Sequence, residues 1–140
     1  MKSNHFNFAA AVLLLLFVSL GCKTLMSGKE NGQKAVNNFH ALYNDGKFAE
    51  IYDQSSREFQ QAESKAKIEN LLGAVQRKLG KAGKTDFQGW NVNTNNGVTT
   101  VTITCETEYE RGRATEKFVF VGDDLKLLSF NINSDQLKTE

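Results

Sequence analysis

The chain has few cysteines, almost no excess charge and no long apolar run, and each shortage excludes a class of protein. It has 140 residues, 2 cysteines, and 17 Lys+Arg against 16 Asp+Glu, for a formal net charge of +1. The length is that of one domain, which excludes a multidomain enzyme with a separate cofactor domain. The near-zero net charge excludes the broad basic surface that nucleic-acid binding requires. Because no two cysteines have metal-ligand spacing, we expect no metal site, and nothing points to a cofactor.

The longest apolar run is too short for a transmembrane helix and is typical of an export signal. Residues 8–18 are eleven apolar residues without a charge, and Lys2 precedes them. A helix that spans the hydrocarbon core needs about 20 such residues, whereas this run fits the apolar region of a secretory signal. We therefore expect residues 1–21 to be a signal peptide and the mature chain to face the cell envelope.

Residues 18–22, Val-Ser-Leu-Gly-Cys, resemble a lipobox, the sequence before whose cysteine a bacterial prolipoprotein is cleaved. Gly21 fits the small residue before the cut, and Ser19 stands where an apolar residue is usual. The resemblance implies acyl chains on Cys22, and more than one chain is what stable membrane attachment needs. The chain is then anchored to a membrane through the lipid on Cys22. In a Gram-negative cell this would be the outer membrane or a membrane surface that faces the periplasm. An ordinary cleaved signal and an uncleaved anchor stay open as alternatives.

Apolar residues recur with helical spacing between residues 33 and 80. Asn44-Asp45-Gly46 ends a first helix and Gly80 ends the last one, because glycine and asparagine tolerate the left-handed cap. Ser55 and Glu58 fit a capping box at the start of another turn. Residues 22–32 are expected to be a lipidated tether. The apolar stripes are Val36, Phe39, Leu42 and Tyr43; then Phe48, Ile51 and Tyr52; then Ile68, Leu71, Leu72, Val75 and Leu79.

From Phe87 onward the apolar period is two, which indicates strands. Asn96-Gly97 predicts a two-residue hairpin turn, Arg111-Gly112 a second one, and residues 123–125 a three-residue loop. The four predicted strands are 86–94, 98–110, 113–121 and 126–133. The predicted pairs are Val92–Val101, Trp90–Ile103, Cys105–Phe118, Glu106–Lys117, Phe120–Leu128 and Phe118–Phe130.

These elements predict an α+β fold, with three N-terminal helices packed on one face of a curved four-stranded antiparallel meander. The single domain covers residues 33–134 and is followed by a tail at 135–140. Cys105, the cysteine left without a partner, is expected to be buried as a small apolar residue. The expected inner face carries Trp90, Val92, Val101, Ile103, Cys105, Phe118, Phe120, Leu128, Phe130 and Ile132.

The expected outer face of the sheet is polar except for Val119, Val121 and Leu127 near one end. An apolar patch on an exposed sheet face is a possible homodimer contact. Isolated exposed apolar residues are also normal on a monomer, so both interpretations stay open.

Two motifs resemble a family: AVxxFxxLYNDGKFxxIYD over residues 35–53 and TEYERGxATExFxF over residues 107–120. They look like uncharacterised bacterial lipoproteins with a domain of unknown function. The resemblance implies the cone-shaped fold of nuclear transport factor two and ketosteroid isomerase. That fold hosts isomerases, dehydratases and many proteins without chemistry, so it does not determine function.

Two functions follow, and they depend on the interior of the cone. The first is a lipid-anchored, non-enzymatic domain that binds a partner or a small apolar ligand. The second is a cofactor-free isomerase or dehydratase that uses Asp53 with Tyr52 or Tyr109. We expect no acidic residue to point inward from the middle of a strand, which disfavours the enzyme. His40 is expected to be a helix-flank residue and Tyr109 a rim aromatic whose hydroxyl reaches water.

The lipidation of Cys22 is directly testable. Cells that express the chain and are fed an alkyne fatty acid should label it, and a Cys22→Ser variant should stay unlabelled because the acceptor sulfur is gone. Equal labelling of both proteins would contradict the prediction.

Overall fold

A four-stranded antiparallel sheet in the order β1-β2-β3-β4 carries helices on one face, as the α+β prediction has it. The computed structural model describes residues 27–138; the predicted signal peptide and Cys22 lie outside them. The elements are α1 (residues 27–44), α2 (Phe48–Asp53), α3 (Arg57–Ala62), α4 (Lys65–Leu79), β1 (Ala82–Asn95), β2 (Val98–Tyr109), β3 (Gly112–Val121), β4 (Lys126–Asn133) and α5 (Asp135–Lys138).

Three helix boundaries differ from the sequence prediction. Residues 27–32, expected in the tether, are helical and belong to α1. The N-cap of α3 is Ser56, whose hydroxyl accepts from the Phe59 amide at 3.2 Å, whereas Ser55 donates to a backbone carbonyl. The expected C-terminal tail begins with the short helix α5.

The first hairpin has the predicted register. Asn96 and Gly97 have φ of 49° and 77°, the pair of positive values that this two-residue turn requires. Val92 lies opposite Val101 and Trp90 opposite Ile103. Next to the Asn96-Gly97 turn, the backbone preferences of the two turn residues are therefore enough to determine which residues pair.

The second hairpin is shifted by two residues from the prediction. Tyr109 pairs with Gly112, so the turn is Glu110-Arg111. Cys105 consequently lies opposite Glu116, not Phe118, and the predicted Glu106–Lys117 pair is wrong. A slip of two leaves every side chain on its own face, so the apolar pattern does not distinguish the two registers.

The third hairpin contains a β-bulge at Leu128. Phe118 lies opposite Phe130 as predicted, but Phe120 lies opposite Leu127, not Leu128. The extra residue turns both Leu127 and Phe130 toward the helices, although their odd separation would place them on opposite faces of a regular strand. Leu127 is 6% exposed and belongs to the core.

The burial of Leu127 corrects the predicted dimer surface. Leu127 is not on the outer face. Of the three apolar residues expected there, only the half-buried Val119 and Val121 remain. The homodimer stays a prediction on a smaller patch.

A row of side chains crosses the sheet on its inner face and holds the helices. Trp90 pairs with Ile103, Ile103 with Phe118, and Phe118 with Phe130. Phe39 of α1 packs on this row, with ring centroids 5.0 Å from Phe118 and 5.4 Å from Phe130. The end of the row is not core, however: Trp90 is 51% exposed because β1 is an edge strand, and Lys29 lies 4.3 Å from its ring centroid.

Helix α4 tests the packing of the helix layer, because two neighbouring leucines on it differ in burial. Leu72 is fully buried and Leu71 is 46% exposed. Leu72→Ala should lower the free energy of unfolding by about 2–5 kcal/mol, and Leu71→Ala by about 0.5 kcal/mol or less. Urea denaturation measures both. Equal losses would contradict the packing of α4.

Candidate functional site

A carboxylate lies in the core on the inner face of β3. Glu116 is fully buried and sits one inward position before Phe118. This overturns the expectation that no acidic residue points inward from a strand. A buried carboxylate is tolerated only when it is paired and hydrogen-bonded, and Glu116 meets both conditions.

Four side chains direct donors at the two oxygens of Glu116. His40 of α1 lies 3.0 Å away through Nε2 and Thr107 donates at 2.5 Å, both to Oε2. Tyr109 donates to Oε1 at 2.6 Å, and the Cys105 Sγ lies 3.7 Å from Oε2. Since an ionised carboxylate only accepts, the arrangement stabilises a negative charge at this point.

The far side of His40 closes the cluster through β1. Thr85 Oγ1 lies 3.3 Å from Nδ1 of His40 and 3.1 Å from Thr107 Oγ1. His40 is 6% exposed, so it is not the helix-flank residue that the sequence predicts. Helix α1 and strands β1, β2 and β3 therefore meet in one polar cluster inside an apolar core.

The pKa of Glu116 follows from these contacts. Burial acts to raise it, but the hydrogen bond and charge of His40 and the hydroxyl donors outweigh burial, and the pKa lies below its ordinary value of 4.5. Burial and the Glu116 charge raise the pKa of Tyr109 and of Tyr43, and they raise that of Cys105 to about 12. Glu116 is thus the group held charged, while its phenol and thiol neighbours are held neutral.

Tyr109 and Cys105 are both buried in the core next to Glu116. Tyr109 is 7% exposed and donates to Glu116, so its hydroxyl does not reach water as predicted. Cys105 is a buried free cysteine, which confirms the prediction. Its thiol is neither ionised nor accessible, so it lacks the properties of a reactive cysteine.

A cleft of about 710 Å³ lies along α1, and its lining includes no member of the polar cluster around Glu116. Its base is formed by buried apolar residues of α1, α2, β3 and β4, and its rim by polar residues. The lining consists of Asn31, Lys34, Ala35, Asn38, Phe39, Leu42, Ile51, Gln54, Phe120, Asp123, Asp124, Leu125, Lys126 and Leu127.

Two irregularities of the chain build the sheet side of this cleft. The bulge at Leu128 turns Leu127 into its base. Leu125 adopts a positive φ of 48° in the β3–β4 turn, a conformation that costs a non-glycine residue energy. Both features direct side chains toward the cleft, as bulges beside binding sites do.

Asp53 and Tyr52, the other two predicted catalytic candidates, face neither site. Asp53 is exposed, and its carboxylate lies 2.7 Å from Lys65 Nζ. The Tyr52 hydroxyl donates to the carbonyls of Gln60 and Glu63, both at 3.0 Å. Tyr109 is hydrogen-bonded to Glu116. The three predicted catalytic residues therefore contact three different sets of partners and do not form one site.

Comparison with known proteins assigns neither a family nor a function to this chain. No protein-family model matches the chain, and a search of curated proteins finds no match. The resemblance to lipoproteins with a nuclear-transport-factor-two-like fold therefore stays a prediction. Over residues 27–138, no cluster of three or more His, Cys, Asp or Glu has the arrangement of a metal site. In the same range no helix has both the length and the apolarity needed to cross a bilayer.

Glu116 and His40 form the central ion pair of the cluster, and the sequence analysis predicted the role of neither. Alternation from Phe118 and Phe120 places Glu116 inward, and that signal was available. An ionisable side chain is ordinarily assigned to solvent unless its partner is known, and here the partner lies 76 positions away.

The Glu116 cluster predicts a pH-dependent contribution to stability. Because its pKa is lower in the folded protein, the contribution is complete above the ordinary value of 4.5 and is lost as pH falls through the folded pKa. At pH 7, Glu116→Gln should lower the free energy of unfolding by about 3–5 kcal/mol, and the difference from wild type should shrink in acid. Denaturation at several pH values measures this.

Glu108 provides the matched control, since it is exposed and pairs with Arg113 at the surface. Glu108→Gln should change stability little at any pH. A Glu116→Gln protein as stable as wild type at pH 7, or a deficit independent of pH, would contradict the role of the buried charge.

Proposed function

We propose that this protein is a lipid-anchored, envelope-facing binding domain without enzymatic activity, and that the cleft binds a small ligand with an apolar body. The cleft carries the proposal. Its volume of about 710 Å³ is within the range of small-molecule sites, which are concave and mostly apolar with a few polar groups.

The chemistry of the lining supports binding. Phe39, Ile51, Phe120 and Leu127 form a base that is 3–6% exposed and fixed by the core. The rim carries amides and exposed charges, which remain hydrated. An apolar body on the base with a polar part at the rim satisfies both surfaces.

The placement of Glu116, His40 and Asp53 favours binding over catalysis. A general acid or base must reach its substrate within hydrogen-bond distance or through one water. Glu116 and His40, the buried acid and base of the described residues, do not line the cleft, and the Glu116 oxygens already accept from four side chains. Asp53 is outside the lining and is paired with Lys65.

The isomerase or dehydratase alternative is favoured by one observation, the inward carboxylate of Glu116 beside Tyr109 and His40. That cluster would need an opening between α1 and the sheet before a substrate reached it. If this alternative holds, Glu116→Gln is expected to lower the rate of substrate turnover, and substitutions in the cleft are expected to leave that rate unchanged.

The predicted anchor and the cleft lie on the same part of the chain. Four residues separate Cys22 from Ser27, where the described part of α1 begins. That stretch spans at most about 17 Å, so an acylated Cys22 would hold the α1 wall of the cleft near the bilayer. A site so placed samples ligands at the membrane surface.

The cleft is tested by filling it. N-phenyl-1-naphthylamine, a neutral apolar dye whose fluorescence rises on binding, is expected to bind the wild-type protein saturably. Ala35→Phe places a ring in the lining and should weaken binding about tenfold.

Ala41→Phe is the matched control, because Ala41 is an exposed residue of the same helix outside the lining. It should bind the dye like wild type. An absence of saturable binding, or equal binding by the Ala35→Phe and wild-type proteins, would contradict the proposed function.

A further inference from the structure

The two walls of the cleft carry opposite charges that form no ion pair among the described residues. On α1, Lys34 makes no ion pair with any residue of the described range 27–138. On the β3–β4 turn, Lys126 is paired with Asp124 at 3.5 Å, while Asp123 makes no ion pair within the same range. Within residues 27–138, the α1 wall therefore has a lysine that makes no ion pair and the turn wall an aspartate that makes none.

The α1 wall is arranged to receive a carboxylate. Asn31, Lys34 and Asn38 stand three and four residues apart, so they lie in one row along the helix. Their side chains supply an ammonium group between two carboxamides, all of which can donate to an anion. Ala35, Phe39 and Leu42 form the adjoining apolar row.

The turn wall offers the complementary group. Asp123 is exposed at the rim of the same cleft. Its turn is held by Leu125 N–H donating to the Gly122 carbonyl at 3.2 Å and by the Ser56 N–H donating to the Leu127 carbonyl at 2.9 Å. These two bonds fix the turn against itself and against the start of α3, and Asp123 lines the cleft together with Lys34 of α1.

We propose that the cleft binds a short apolar peptide with free ends, its carboxylate at Lys34, its ammonium group at Asp123 and its side chains on the apolar base. This inference rests on the proposed function, because it names the ligand class for the same cleft. The lining as a whole has two lysines and two aspartates and no net charge. A zwitterion matches that lining, whereas a purely anionic amphiphile would meet both aspartates.

Trileucine and its capped forms are the probes. Isothermal titration at low salt is expected to give the tightest binding for free trileucine. Amidation of its C-terminus and acetylation of its N-terminus should each raise Kd about threefold, the size expected of one solvent-exposed ion pair. Free leucine has the same ends on a smaller body and should bind at least tenfold more weakly.

Variants assign each end to its wall. In Lys34→Gln, C-terminal amidation should no longer change Kd, while N-terminal acetylation should still raise it. In Asp123→Asn, acetylation should no longer change Kd, while amidation should still raise it. Lys117→Gln, an exposed lysine on the outer face of the sheet, should retain both effects. All three positions are exposed, so these proteins are expected to fold.

Each failure has its own signature. Caps without effect on Kd, or cap effects that persist in both wall variants, would overturn the zwitterion assignment. Leucine binding as tightly as trileucine, or peptides that do not displace N-phenyl-1-naphthylamine, would overturn the peptide. Saturable dye binding that is sensitive to Ala35→Phe would in all these cases leave the proposed function standing.

Discussion

The contact between His40 and Glu116 determines how the two layers of this protein fit together. It joins the first helix to the third strand across 76 positions of sequence at 3.0 Å, and both residues are buried. A buried charge that loses its partner is strongly destabilising. Any position of α1 that leaves the Glu116 carboxylate without Nε2 is therefore disfavoured, and the packing of Phe39 on Phe118 and Phe130 favours the same placement.

The cleft depends on that placement. One wall is α1 itself, so a shift of α1 on the sheet would change the distance between Lys34 and the β3–β4 turn. The opposite wall depends on the bulge at Leu128 and the left-handed Leu125. The polar cluster and the cleft thus differ in chemistry and share one helix: His40 contacts Glu116, and the neighbouring residues Phe39 and Leu42 line the cleft.

The sequence predicts the fold wherever a local signal exists. The turn residues Asn96 and Gly97 determine the first hairpin, and the stripe on α4 predicts its buried face except at the exposed Leu71. The second hairpin could not be decided in this way, because turns at Glu110-Arg111 and Arg111-Gly112 bury the same side chains. Strict alternation also cannot place Leu127 and Phe130 on one face, and only an inserted residue does so.

The candidate sites were less predictable for a physical reason. Asp53 and Tyr52 stand in a plausible motif, but their partners, Lys65 and two backbone carbonyls, become neighbours only through the packing of α2 to α4. Glu116 reads as a surface residue until His40, Thr107 and Tyr109 are brought to it. Sites that depend on long-range partners are not encoded in any one segment.

The most direct test of this account is the nuclear Overhauser spectrum of the folded protein around the His40 ring. The ring centroid lies 5.9 Å from that of Phe118 and 6.0 Å from that of Phe39. The account predicts cross-peaks from the imidazole protons to the Phe118 ring and to the methyl groups of Thr85 and Thr107. An imidazole that shows none of these and exchanges freely with solvent would contradict the docking of α1.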